Sequence, residues 1–112
     1  MTETVTPLAA GAPGRDLDLN TMLRQVDQWT WMRMGVHANS LGWAVASDYA
    51  HHRLPGRPGQ RLTVKLAADD TYSLEVGRMR KLTYTVLAQR HGVTADQLAA
   101  TLEELYSTLH SR

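Results

Sequence analysis

Cysteine is absent from these 112 residues, and so is phenylalanine. The first absence excludes disulfides, thiolate metal sites and cysteine nucleophiles. The second leaves three tryptophans and four tyrosines to supply all the aromatic bulk. No apolar run approaches the length of a membrane span, and the N-terminus lacks a charged start followed by an apolar stretch. The expectation is a soluble, unexported, cytoplasmic protein with no membrane partner. An excess of one charge is missing too: 12 Lys and Arg face 11 Asp and Glu, for a formal net charge of +1. Bulk charge therefore does not point to a polyanion or a membrane. The serines are scattered with no elbow motif around them, and no glycine run ends in the lysine-serine pair of a phosphate loop. No catalytic residue and no cofactor is assigned, and the chain is expected not to be an enzyme. Asp48 and His52 would share a helical face as a metal-ligand pair, but no third and fourth ligand accompanies them, so no metal site is assigned.

The length suits one domain with one modest core. Residues 1–17 read as a flexible N-terminal tail, and residues 18–112 as a single small globular domain. Leu19, Met22, Leu23, Val26, Trp29 and Thr30 fall on one side of a helix, with Gly35 as its stop. Trp31 falls on the other side of that helix. With Trp29, Met34 and Trp43 it is the candidate protein interface, since Trp and Met are favoured at interface centres. A short strand over residues 29–34 is the alternative. A second helix, capped by Asn39 or Ser40, would carry Leu41, Ala44, Val45, Asp48, Tyr49 and His52 on one face and end before Pro55. Residues 55–60 form a loop. Leu62, Val64 and Leu66, then Tyr72, Leu74 and Val76, alternate with polar residues, which predicts a β-hairpin with one buried face.

Residues 82–109 read as two amphipathic helices broken at Gly92. Met79, Leu82, Thr83, Val86 and Leu87 recur at helical offsets. Gly92 suits the left-handed position that ends a helix. Thr94 and Gln97 have the spacing of a capping box, and Leu98, Leu102, Leu105, Tyr106 and Leu109 form the next apolar stripe. Ala88, Gly92 and Val93 stand at the small, glycine and apolar positions of a turn between two such helices. On those residues the segment, about a fifth of the chain, resembles the helix-turn-helix of bacterial regulators, which implies double-stranded DNA as a partner. Among the outward positions of the second helix only Gln97 is a typical base-reading donor, while Asp96, Glu103 and Glu104 would repel phosphate. An αα-hairpin that only builds the core is the alternative.

The fold class expected is thus α+β, mostly helical: two N-terminal helices, a β-hairpin, then a C-terminal helix-turn-helix-like helix pair. The basic strip Arg57, Arg61, Arg78, Arg80 and Lys81 would hold phosphates, with Thr94 and Gln97 as minor contributors. The functional expectation is a small DNA-associated regulator of transcription, homodimeric because a core this small gains from a partner. The alternative is a non-enzymatic protein-interaction module, an adaptor, inhibitor or assembly subunit, using the Trp/Met surface.

Overall fold

The computed structural model describes residues 6–55 and 58–110. It corrects the expected fold class. The chain is built on a five-stranded antiparallel sheet in the order β1-β2-β3-β4-β5, with short helices before it and one long helix after it. The strands are β1 Trp43–Val45, β2 Tyr49–Arg53, β3 Gln60–Leu66, β4 Tyr72–Arg80 and β5 Thr83–Val93. The helices are α1 Leu19–Arg24, α2 Gln28–Arg33 and α3 Leu98–His110. None of them is long and apolar enough to cross a membrane.

The hairpin read from the period of two is present as β3 and β4, with Leu62 opposite Val76 and Val64 opposite Leu74. Its neighbours differ from expectation. The second helix is instead β1 and β2, where Trp43 lies opposite His52 and Val45 opposite Ala50. Gly42 precedes β1 at φ +82, and a Cβ there would stand 2.7 Å from His52 Nε2, so the approach of the two strands needs a glycine. The first half of the helix-turn-helix is β5. Residues 83–86, Thr-Tyr-Thr-Val, are aromatic or β-branched at every position and suit a pleated surface. Pairing them with β4 satisfies a long row of backbone groups that a helix there would leave open on β4. Without a helix before Gly92 there is no helix-turn-helix.

The expected first helix is two. Asp18 caps α1, its carboxylate accepting from the Asn20 and Thr21 N–H groups, and Asp27 caps α2 through Thr30 N–H at 2.7 Å. The second start shifts the helical phase, so Trp31 turns inward and Trp29 outward. Trp31 is fully buried; its indole N–H donates to Leu23 O at 3.0 Å, and its ring meets that of Trp43 edge to face at 5.7 Å.

α1, α2 and α3 cover one face of the sheet. Leu98, Leu102 and Leu105 of α3 are fully buried against Leu62, Val64, Leu74 and Val76. The capping box is as read, with Thr94 N–H donating to Gln97 Oε1 at the start of the short 3-10 turn Ala95–Gln97 that runs into α3, and Gly92 adopts φ +66, though within the end of strand β5 and not at the end of a helix. Residues 6–15, from the stretch expected to be a tail, cross the other face. There Leu8 is buried, and Arg15 N–H donates to Leu66 O at 3.0 Å.

A candidate functional site at the cationic end of the sheet

The register sorts the charges by strand end. β2 closes on Arg53, β3 opens on Gln60 and Arg61, and β4 closes on Arg78, Met79 and Arg80 before the turn at Lys81 and Leu82. These residues share one end of the sheet. The two segments that build it, residues 53–61 and 77–83, contain six cations and no acidic residue. Asp48, Asp69 and Asp70 lie at the other end, in the turns that open β2 and join β3 to β4. The ion pairs among the described residues use Arg15, Arg33, Lys65 and Arg90, and none uses Arg53, Arg61, Arg78, Arg80 or Lys81.

Sequence reasoning named most of this end but not its shape. Arg61 and Arg78 stand on neighbouring strands, one register step apart, and so point to opposite faces of the sheet. Arg80 and Lys81 follow at the hairpin tip, both exposed. Arg57 lies outside the described residues. Thr94 and Gln97 do not join the group: they follow Val93, at the far end of β5, roughly 35 Å from Thr83 at strand rise. Arg53, which is not part of the strip read from the sequence, lies directly opposite Arg61 on the same face. Like charges so placed repel and cost stability. No sequence signal short of the correct β2–β3 pairing shows it.

The hairpin tip is unusual. Lys81 and Leu82 form a two-residue connection between Arg80 and Thr83, with φ of 47° and 68°. Such turns favour Asn-Gly, because other residues in this region meet a Cβ clash. Leu82 is also 98 % exposed. A strained turn thus presents an apolar side chain among three unpaired cations.

Of the other candidate interface residues, Trp31, Met34 and Trp43 are buried in the core and Trp29 is 66 % exposed. The Asp48–His52 pairing considered for a metal is dissolved by the strand. Asp48 accepts from Gly14 N–H on the polar face, and His52 is buried on the core face with its Nε2 3.1 Å from His37 Nδ1.

The polar face of the sheet holds a second constellation that the sequence did not reveal. Glu75, 1 % exposed, accepts from Leu8 N–H at 3.0 Å, Tyr84 O–H at 2.7 Å and Gln89 Nε2 at 2.7 Å. Lys65 donates to Leu8 O at 2.9 Å and Ala12 O at 2.6 Å, with Asp48 at 3.5 Å. Its neighbour Gly14 holds the Asp48 carboxyl below the usual range by donating a backbone hydrogen bond, assisted by Lys65. Burial pushes the Tyr84 phenol well above its ordinary value, and the bond to Glu75 adds to that. Both buried charges are directed at main-chain groups of the N-terminal segment. The Tyr84 ring lies over Gly77, where a Cβ would be 2.0 Å from its oxygen, and Arg61 stacks on the ring at 5.0 Å.

No protein family, curated protein or solved structure matches the chain.

Proposed function

We propose that the protein is a small DNA-associated protein that grips the phosphate backbone with the cationic end of its sheet. The carrying observation is the gathering of Arg53, Arg61, Arg78, Arg80 and Lys81 at one end, with no acidic residue in the segments that form it. Cations clustered at one end of a fold without acidic neighbours in the same segments are the electrostatic footprint of a polyanion partner. The exposed Leu82 at the tip suits the apolar contacts that groove-binding hairpins make with bases. Helix α3 takes no part in this grip, since its buried stripe packs on the sheet and Glu103 and Glu104 face Arg33 and Arg90. The test is the anisotropy of a labelled duplex titrated at two salt concentrations. Replacing Arg78, Arg80 and Lys81 together by alanine should weaken binding and lower the log–log salt slope by up to about 2.7, at about 0.9 per phosphate contact. Unchanged affinity and slope in that variant refute the reading.

A homodimer fits the same scheme. β1 is a three-residue edge, whereas β5 offers eleven residues without proline and without a partner strand on its outer side among the described residues. Antiparallel pairing of two β5 strands would set the two cationic tips about 35 Å apart, close to one turn of duplex DNA. Light scattering across a concentration series tests it.

A second reading, a protein-interaction module, rests on Trp29 and Met32. They are 66 % and 55 % exposed and one turn apart on α2. Trp29→Ser should abolish a protein contact made there and leave the thermal midpoint unchanged, because the ring is already in water.

A further inference from the structure

The N-terminal segment crosses the polar face without filling it. Beside it lies a cavity of about 330 Å³, walled by Pro7, Ala9 and Ala10 on one side and floored by the sheet on the other. Its floor carries two basic side chains among the described residues, Arg61 and His51. Arg61 is half-buried, faces the Tyr84 ring, and has no carboxylate partner among the described residues. His51 stands beside it on the same face, next to Thr63. Glu75 is the only acid among the described lining residues, and its oxygens already accept from Leu8, Tyr84 and Gln89. Held in this way, it makes no ion pair with Arg61 among the described residues. Arg53, opposite Arg61, adds positive potential and not relief. Met79 and the segment's proline and alanines supply the apolar contacts, and Tyr49 completes the lining.

We propose that this cavity binds a small organic anion, with a carboxylate or phosphate group on Arg61 and a compact apolar body against Ala9, Ala10 and Met79. A guanidinium left unpaired beside a partly enclosed, mostly apolar space is the arrangement that recognises such a ligand: charge sets orientation and the walls supply contact area. Burial, with Arg61 nearby, holds the His51 imidazole below its ordinary range. A neutral imidazole can donate one hydrogen bond to the anion without a second buried charge. The inference does not need the DNA reading, because Arg78, Arg80 and Lys81 do not line the cavity.

The experiment is thermal denaturation of the full chain with sodium benzoate, sodium phosphate and benzyl alcohol, each against sodium chloride at matched ionic strength. Benzoate should raise the midpoint by several degrees in a saturable manner. Phosphate should act more weakly, and benzyl alcohol, which has the body without the charge, should do nothing. Arg61→Met, which keeps the side-chain stem over Tyr84, should weaken benzoate binding at least tenfold. Ala10→Tyr, placed at an exposed position to occlude the cavity, should abolish the shift and serves if Arg61→Met proves unstable. The triple variant of Arg78, Arg80 and Lys81 should respond to benzoate like the parent, whatever it does to DNA. No saturable shift with benzoate, an equal shift with benzyl alcohol, or a shift that survives both Arg61→Met and Ala10→Tyr overturns the proposal.

Discussion

Replacing Leu82 by glycine should make the protein more stable, although it deletes a large apolar side chain. The substitution removes little burial, since Leu82 is 98 % exposed. It does remove a steric cost. Leu82 sits at φ 68°, where a residue with a Cβ costs roughly 1–2 kcal/mol relative to its preferred conformations. Glycine gives back about 0.4–1 kcal/mol of that by loosening the unfolded chain. The net gain is about 0.5–1 kcal/mol, which for a domain of this size raises the thermal midpoint by roughly 2–8 °C. Urea denaturation should show a higher midpoint at unchanged slope. The same variant should bind duplex DNA less well if the tip touches it. An unchanged or lower midpoint would refute the argument that the turn stores strain for the sake of presenting this side chain.

Three further outcomes follow from the polar face and the core. Tyr84→Phe leaves buried Glu75 one donor short and should destabilise by about 1–3 kcal/mol in urea titration, with Gly77→Ala doing similar damage by displacing the same ring. Gly14→Ala would put a Cβ 2.0 Å from Leu66 O, so hydrogen exchange should quicken across residues 6–15 while the strands stay protected. Burial holds His52 below its ordinary value of 6.5, and His37 pushes in the same direction. The unfolded chain therefore takes up that proton first, so the contribution to stability is full above pH 6.5 and falls as the pH drops below it. His52→Gln should flatten stability between pH 7 and pH 5, leaving a smaller slope from His51, whose value is lowered in the same sense.

How much of this fold could be read from the residues depends on whether one periodicity stood alone. Over Leu62 to Val76 the period of two had no competitor, and β3 and β4 are as read. Leu98, Leu102 and Leu105 gave α3 for the same reason. Residues 79–87 offered apolar residues at offsets of three and four and also a run of β-branched and aromatic residues; the helical offsets were chosen, and the open edge of β4 decided for the strand. Residues 41–52 carried the same ambiguity. Asp27 could have signalled a second helix start, which would have placed Trp31 in the core. The cationic strip was visible because charge does not depend on secondary structure. Its gathering at one end of the sheet was not visible, nor was the separation of Thr94 and Gln97 from it, because both follow from strand register.

The two faces of the sheet suggest a division of labour. On the helix-covered face the buried residues are almost all apolar, and stability comes from area removed from water. On the other face Lys65 and Glu75 are buried at a desolvation cost that an apolar pair would avoid. Their hydrogen bonds run to the main chain of residues 8 and 12, so they fix the path of the N-terminal segment whatever its side chains are. That path forms one wall of the cavity beside Arg61. Lys65 thereby acts on that cavity from outside it and Glu75 from within its lining: together they set the distance between the segment and the sheet. Substituting both by apolar residues of similar size should hold or raise stability while releasing the segment, and the benzoate response should be lost with it. A benzoate response that survives in such a variant would show that the sheet alone suffices and that the segment is no part of the site.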